Sequence, residues 1–387
     1  MWTFVSPKIV FGEDALDEIG TLSIERALIV TDRAVRSLGL VDPVTERLAG
    51  IGAQWEVFDA VEPDPSIPAV LAGAETARRF EPDWIVGVGG GSPLDVAKAI
   101  WVLYERPDLQ PAEINPFIDL GLRKLARLMT IPTTSGTGAD VTWAIVLTDP
   151  VEKRKMGLGN RENVADIALV DPAMAAGMPP QLTADTGLDA LTHAIEGFTC
   201  TWHTDLTDGL CLNAAAEIFT VLPRAVEDGT DIEARTRMHH AATAAGLGFG
   251  NAMASIAHAM GHALGSAFDL PHGRAVALCL PYTLEFAAAK APDRAALLAS
   301  HLGVSDAGGE PASRALADAV RNLAETIGNP LFLADAGVPR HALDEALDKL
   351  VDDAENDTQM ITAPRSPSTE ELRRLFVAAH TGNSVSF

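Results

Sequence analysis

Two short stretches in the second half of the sequence place metal-binding side chains at helical spacing. In TGLDALTHAIEG, Asp189 and His193 are four residues apart, and in IAHAMGHALG, His258 and His262 have the same spacing. Residues i and i+4 of an α-helix lie on one face. His272 follows shortly after the second stretch. One carboxylate and three of these four imidazoles would be a suitable donor set for a first-row divalent ion such as Fe²⁺ or Zn²⁺.

Each pair also has a simpler interpretation. A lone Asp–His pair is commonly an ion pair, and an imidazole in an Ala/Gly-rich helix is commonly a hydrogen-bonded core group. Residues 241–268 contain no Asp, Glu, Lys or Arg, so the fold must satisfy their imidazoles internally. We therefore favour a metal site, while spacing alone does not decide between His258 and His262 as ligands. The remaining histidines lack this context and are interpreted as structural or surface groups: His203, His239, His240, His301, His341 and His380.

A glycine-rich segment, DWIVGVGGGSPLDVAK at 83–98, joins a strand pattern to a helix pattern. We expect Ser92 to be the N-cap of that helix and Pro93 its first residue. Glycines allow a ligand to approach the backbone, and the free N–H groups of a helix start attract phosphate. An ordinary glycine turn is the alternative. The pattern follows the third strand and ends on serine, so it is not the G-x-G-x-x-G fingerprint.

A second loop, PTTSGTGAD at 132–140, follows the next strand pattern. The hydroxyls of Thr133, Thr134 and Thr137 would lie at the strand end, which is where ligands bind in an open α/β sheet. Such a loop alone can be a simple turn. Two of them on successive strands favour nucleotide binding.

Asp32 ends the strand pattern RALIVTD. A carboxylate at such a strand end can accept hydrogen bonds from the ribose hydroxyls of adenosine and would repel a 2′-phosphate. A solvated Asp that starts a turn is the alternative. The sequence contains no G-x-S-x-G motif and no cysteine in an activating motif, so covalent nucleophilic catalysis is not indicated.

Strand and helix patterns alternate over the first 180 residues, which predicts a parallel sheet with helices on both faces. The segments that favour strands are 26–32, 54–59, 83–89, 126–134, 143–148 and 166–170. The segments with helical spacing are 34–48, 67–80 and 93–104.

After Met178-Pro179-Pro180 the strand patterns nearly vanish, and Ala/Leu-rich helical patterns continue, for example at 312–327 and 369–379. The double proline is a credible domain boundary. We therefore predict a Rossmann-like, nucleotide-binding α/β domain at 1–179 and an all-helical domain with the candidate metal site at 180–387.

Composition excludes several classes of partner. The 387 residues carry 29 Lys and Arg against 53 Asp and Glu, a net charge of −24, which argues against nucleic acid or an anionic membrane surface. Three cysteines without CxxC spacing fit a reducing cytoplasm. The start, MWTFVSPKIVFG, lacks a basic n-region and reads as a first strand rather than a signal peptide. We interpret the uncharged segment 241–268 as a helix buried in protein rather than a membrane span. It is mostly Ala and Gly, and burying its histidines in lipid would be costly.

Taken together, these stretches closely resemble the iron-containing (group III) alcohol dehydrogenase family. The resemblance runs from SPKIVFG near the start to APRSPSTEEL near the end. Its most specific motifs are GGGSPLDVAKAI, IPTTSGTGADVT, MPPQLTADTGLDALTHAIEG and HAMGHALGSAFDLPHGRAVALCLP.

The resemblance implies a dehydroquinate synthase-like architecture with the active site in a cleft between a dinucleotide domain and a helical domain. It implies that the metal ligands are Asp189, His193, His258 and His272, and that His262 is a non-ligand imidazole near the nicotinamide. Implied cofactor contacts are Asp32, Asp64, Gly91, Ser92, Asp95, Thr133, Thr134, Thr137, Thr142, Val146, Lys155 and Leu182. The family's Pro-Asn-Pro-like turn is Pro63-Asp64-Pro65 here, which adds a negative charge near the adenosine.

The function expected from these residues is reversible hydride transfer between a small primary alcohol or its aldehyde and NAD(H), with a metal as Lewis acid and His262 as proton relay. Short hydroxy acids and polyols remain alternative substrates. Two other classes remain open, namely a dehydroquinate synthase-like lyase and a non-catalytic NAD-binding protein. We expect a cytoplasmic homodimer or larger homo-oligomer, with no nucleic-acid or membrane partner.

Overall fold

The computed structural model describes residues 3–149 and 154–387. It divides into two compact units, Met1–Gly177 and Met178–Phe387. The first two residues of the predicted first strand lie outside the described residues, and the strand itself begins at Lys8.

The first unit contains a six-stranded parallel sheet in the order β1-β8-β5-β4-β2-β3, and a separate antiparallel pair, β6 and β7. The strands are β1 (Lys8–Phe11), β2 (Arg26–Asp32), β3 (Gln54–Val61), β4 (Trp84–Gly89), β5 (Arg127–Pro132), β6 (Ala144–Asp149), β7 (Arg154–Gly159) and β8 (Ile167–Val170). Its α-helices are α1 (Arg33–Ser37), α2 (Asp42–Gly50), α3 (Ile67–Phe80), α4 (Gly91–Glu105) and α5 (Pro172–Ala175).

Helices cover both faces of this sheet. Successive side chains of a strand point to opposite faces, and in β2 the residues Leu28 and Val30 join one apolar cluster while Ala27 and Ile29 join another. The first cluster includes apolar residues of α3 and α4, and the second includes those of α2. The parallel sheet with helices on both faces is therefore confirmed. The carboxyl ends of β3, β2, β4 and β5 lie side by side at one edge.

Three local expectations differ from the structure. Helix α4 begins at Gly91 with Gly90 as N-cap, so Ser92 and Pro93 lie inside its first turn. The predicted helix at 34–48 is two helices, because Gly39 has a φ of +76°, which breaks the helical backbone. The strand predicted at 143–148 is β6, which pairs with β7 rather than with the parallel sheet.

The second unit is helical throughout its regular structure. Its helices are α6 (Pro180–Thr199), α7 (Asp205–Glu227), α8 (Ile232–Ala252), α9 (Ile256–Phe268), α10 (His272–Ala288), α11 (Pro292–His301), α12 (Gly309–Thr326), α13 (Arg340–Glu355) and α14 (Thr369–Thr381). These helices pack around one apolar core of their own.

The uncharged segment 241–268 is divided between two helices. Helix α8 ends at Ala252, Met253 takes a φ of +88°, and α9 starts at Ile256. Among the described residues, the helix whose length and composition would allow a membrane span is α7. The core helix of a soluble protein passes the same test, and α7 packs against α6 and α8.

Candidate metal centre and nucleotide loops

Three helices of the second unit bring four ligand-type side chains to one point. Helix α6 carries Asp189 and His193, α9 carries His258, and His272 is the first residue of α10. One potential ligand atom from each of the four lies within 4.8 Å of all the others. Three of the side chains are buried, whereas that of His272 is 31% exposed.

The start of α10 packs closely against α6, with a glycine at the contact. A Cβ added at Gly273 would lie 2.2 Å from the carbonyl oxygen of Asp185 and 3.0 Å from the Cβ of Asp189. The neighbouring Arg274 makes two hydrogen bonds to the Asp185 carboxylate, at 3.0 and 2.9 Å. Glycine and a bidentate ion pair thus place His272 against the Asp189 side of α6.

The four side chains fit a divalent metal. The Nε2 atoms of His193, His258 and His272 lie 3.8, 3.7 and 3.5 Å from Oδ1 of Asp189. These separations are too long for hydrogen bonds, and Oδ1 of Asp189 and Nε2 of His258 are buried without a hydrogen-bond partner. Two tetrahedral ligands bonded to one ion at about 2.1 Å would be roughly 3.4 Å apart. Nitrogen and oxygen donors of this kind suit iron or zinc.

The charges in the cluster are coupled. Burial alone would raise the pKa of Asp189, but the surrounding imidazoles hold that pKa well below its usual range. Burial disfavours the charged form of His258, yet Asp189 and Glu196 raise its pKa to about 9. Both carboxylates therefore favour the protonated form of the His258 imidazole, so a metal would compete with a proton for this ring.

Glu196 was not among the residues predicted from the sequence. It is buried, and its carboxylate accepts hydrogen bonds from the N–H groups of Ser255, Ala257 and His258. Its Oε2 also lies 2.6 Å from Nδ1 of His258. Glu196 stands three residues after His193 on α6, so helical spacing alone could have identified it.

His262 is one turn beyond His258 but lies outside the four-residue cluster. Its Nδ1 is 2.7 Å from Oδ2 of Asp357, and its ring stacks on that of His272 with the centroids 5.3 Å apart. Burial would raise the pKa of Asp357, but His262 lowers it. No sequence signal pointed to Asp357, because it is 95 residues away in the chain.

An aromatic ring covers one side of the cluster. Phe249 of α8 stacks on His193 with the ring centroids 3.9 Å apart and the planes inclined by 9°. The apolar ring limits access to the cluster from this side, whereas His272 is the ligand candidate that solvent reaches.

In the first unit, the two predicted nucleotide loops lie together at the carboxyl edge of the sheet. β4 and β5 are paired neighbours, and Thr133 donates its backbone N–H to the carbonyl of Gly89. A Cβ at Gly91 would lie 3.1 Å from Thr137, and one at Gly90 would lie 3.3 Å from Thr134. Glycine at these two positions therefore lets threonine side chains of the second loop pack against the start of α4, whose N–H groups suit a phosphate.

Three other predicted cofactor residues form a buried polar cluster around Lys98. The Nζ atom of Lys98 lies 3.1 Å from Asp95 and 3.4 Å from the Thr142 hydroxyl, and Asp95 accepts a hydrogen bond from the Val146 N–H. Burial raises the pKa of Asp95. These contacts join α4 to β6.

The remaining predicted cofactor residues are distributed over both units. Asp32 ends β2, and its Oδ1 accepts the Val35 N–H at the start of α1. Asp64, just beyond β3, pairs with Lys155 at 2.7 Å. Leu182 lies in the first turn of α6 in the second unit and is 39% exposed.

Comparison with known proteins agrees with this architecture. Residues 6–172 match the iron-containing alcohol dehydrogenase family, and residues 183–380 match the C-terminal part of the Fe-containing alcohol dehydrogenase family. The chain is 36% identical to an NADPH-dependent butanol dehydrogenase from Clostridium saccharobutylicum over the full length of both proteins.

Solved structures show the same fold. A 1,3-propanediol oxidoreductase superimposes with a TM-score of 0.91 at 32% identity, covering 98% of this chain and 100% of the other. A sulfoacetaldehyde reductase from Bifidobacterium kashiwanohense, in complex with NAD⁺, superimposes with a TM-score of 0.86 at 28% identity, covering 99% and 100%.

The parallel-sheet unit and the helical unit with its Asp–His cluster fall in the two segments that match the dehydrogenase family, whose name implies a metal. The chain belongs to the iron-containing alcohol dehydrogenase family, and it is an oxidoreductase that interconverts alcohols and aldehydes.

Proposed function

We propose that this enzyme transfers hydride reversibly between a small primary alcohol, or its aldehyde, and NAD(H). The observation that carries the proposal is the cluster of Asp189, His193, His258 and His272, whose candidate ligand atoms lie within 4.8 Å of one another. These residues would hold a divalent first-row metal, with Fe²⁺ the first choice and Zn²⁺ the second.

A bound metal would supply Lewis acidity at the substrate oxygen. The chain's own residues hold that metal and handle the proton. The carboxylate of Asp357 accepts from Nδ1 of His262, which leaves Nε2 of His262 as the nitrogen that exchanges a proton. His262 would thus be the proton relay between the substrate oxygen and solvent.

The glycine and threonine loops after β4 and β5 would bind the pyrophosphate of the cofactor. Asp32 would accept from the ribose hydroxyls. Because Oδ1 of Asp32 is used in capping α1, Oδ2 is the oxygen that remains for this contact. One relative is NADPH-dependent and one solved structure contains NAD⁺. The negative charge of Asp32 is our reason to favour NAD(H) for this chain.

The substrate would be small and largely apolar. Phe249 lies flat on His193, and residues 241–268 contain no Lys or Arg that could pair with an acidic or phosphorylated substrate. The names of the relatives include butanol, 1,3-propanediol and sulfoacetaldehyde; butanol fits this description, 1,3-propanediol is small and uncharged but polar, and sulfoacetaldehyde is charged.

The proposal is tested with metal-depleted protein. Chelator-treated enzyme should lose its activity and regain it with Fe²⁺ or another first-row ion, measured as NADH formation across a panel of C2–C5 alcohols and diols. Full turnover by protein verified to be metal-free would contradict the proposal. Turnover of polyhydroxylated acids without net NADH formation would instead favour the lyase class.

We also propose that the enzyme works in the cytoplasm as a homodimer or larger homo-oligomer, without nucleic-acid or membrane partners. Its three cysteines are buried free thiols, which suit a reducing compartment. Light scattering after size-exclusion chromatography measures the oligomeric state. A monomer in this measurement would contradict the proposed homo-oligomer.

A further inference from the structure

The N-terminus of α9 is capped by a side chain from another helix. Ser255 occupies the N-cap position but makes no capping hydrogen bond with its side chain. The Glu196 carboxylate instead accepts the N–H groups of Ser255, Ala257 and His258, at 3.0, 2.7 and 3.3 Å. A carboxylate at this place satisfies donors that a helix start leaves open and lies at the positive end of the helix dipole.

The same carboxylate contacts the imidazole of His258. Oε2 of Glu196 lies 2.6 Å from Nδ1 of His258. A carboxylate that already accepts several N–H groups can only accept here, so Nδ1 carries the proton in the metal-binding tautomer. The lone pair of that tautomer is then on Nε2, which lies 3.7 Å from Asp189 and has no hydrogen-bond partner.

We propose that Glu196 is a positioning residue of the metal centre. By holding both the backbone at the start of α9 and the His258 ring, it directs Nε2 of His258 toward the ligand atoms on α6. Glu196 stands seven residues after Asp189 and three after His193, on the same side of α6. One face of α6 therefore carries two candidate ligands and the group that orients a third. This inference rests on the proposed metal site.

The deciding variant is Glu196→Gln. The amide has nearly the same size as the carboxylate, but its NH₂ group replaces one acceptor oxygen. A hydrogen-bond donor then faces N–H groups that are themselves donors. Partners that orient metal-binding imidazoles typically change metal affinity about 10–100-fold when mutated. We expect Glu196→Gln to bind Zn²⁺ about 10–100-fold more weakly than the unaltered protein, as measured by competition with a chelator. The visible absorption spectrum of the Co²⁺-loaded protein should change as well.

Gln359→Ala is the matched control. The Gln359 side chain accepts the N–H of Ala254, which is next to the residues that Glu196 caps, and its hydrogen bond is 3.2 Å long. This variant removes a hydrogen bond from the same turn without removing a contact to an imidazole. Its Zn²⁺ affinity and its Co²⁺ spectrum should stay those of the unaltered protein.

Equal Zn²⁺ affinity in Glu196→Gln and the unaltered protein would overturn the inference. Equal losses of Zn²⁺ affinity in Glu196→Gln and Gln359→Ala would also overturn it, because Glu196 would then act only by holding the backbone turn before α9. If Glu196→Gln does not fold, Glu196→Asp replaces it. Its shorter carboxylate cannot reach both the backbone and the ring, so the same loss of Zn²⁺ affinity is expected. Unchanged affinity, or a loss equal to that of Gln359→Ala, would again overturn the inference. If the unaltered protein itself binds no Zn²⁺, Co²⁺ or Fe²⁺, the proposed metal site fails, which is a separate result.

Discussion

At the scale of single residues, the two imidazoles of α9 are distinguished by their partners. His258 and His262 are one turn apart and share a helix face, but Nδ1 of His258 contacts Glu196 while Nδ1 of His262 contacts Asp357. The Nε2 of His258 then lies near Asp189, and His262 is left outside the ligand cluster. The structure thus distinguishes His258, which lies in the ligand cluster, from His262, which does not, whereas helical spacing treats them alike.

We predict that His258→Ala is purified metal-poor and inactive, because three remaining ligands hold an ion weakly. His262→Ala should retain near-normal metal content, with turnover lowered about 100-fold or more and an altered pH profile. Metal analysis of both purified variants checks this prediction. Metal lost from His262→Ala and retained in His258→Ala would reverse the two roles.

A second prediction at this scale concerns Asp32. Its charge should disfavour NADP(H) by about 1–2 kcal/mol, which corresponds to roughly 5- to 30-fold in affinity. Asp32→Gly should narrow that preference, measured as the ratio of kcat/KM values for NAD(H) and NADP(H). Glycine is a tolerated N-cap, so α1 should lose only a few tenths of a kcal/mol.

Asp32→Asn is the control for this prediction, since it removes the charge and keeps an oxygen that can cap α1. Both variants should move the preference in the same direction. Unaltered enzyme that already favours NADP(H) would show that the Asp32 charge does not set the choice.

At the scale of elements, sequence periodicity identified most of the sheet and many helices. The segments 26–32 and 67–80 coincide with β2 and α3, because apolar runs and helical spacing are local signals. β7 was missed: its sequence, RKMGLG, has glycine at two of six positions and little strand character. The contact between Asp357 and His262 could not be predicted from the sequence either, because the two residues are 95 positions apart.

The close approach of α10 to α6 leads to the third prediction. Gly273→Ala would place a methyl group 2.2 Å from the Asp185 carbonyl, so the start of α10 must move, and His272 with it. We expect lower metal affinity and a loss of stability of about 1–3 kcal/mol. Chelator competition and thermal unfolding measure these effects.

Gly209→Ala in α7 is the control, because nothing lies within 4 Å of a Cβ added there. Alanine is favoured over glycine in a helix by up to about 1 kcal/mol, so this variant should keep its metal affinity and gain stability. Unchanged metal affinity in Gly273→Ala would show that His272 tolerates displacement of α10.

At the scale of the whole molecule, the metal cluster and the nucleotide loops are built on separate cores. All four candidate ligands are in the unit Met178–Phe387, whose apolar core contains none of the described residues of the first unit. The sheet that presents the nucleotide loops has its own two apolar clusters. A ligand that binds only the folded state of a unit stabilises that unit by RT ln(1 + [L]/Kd), where [L] is the free ligand concentration.

The last prediction follows from this division. At a metal concentration 1,000 times the dissociation constant, binding adds about 4 kcal/mol to the stability of the folded state. Chelation should therefore speed amide hydrogen exchange in α6, α9 and α10, while exchange in β2 and β4 stays as it was. Hydrogen-exchange mass spectrometry with and without chelator measures this. His258→Ala is the control, because protein that lacks metal should not respond to the chelator. Equal acceleration in both units would show that the metal stabilises the two units together, and no change in α6 would show that it is not held there.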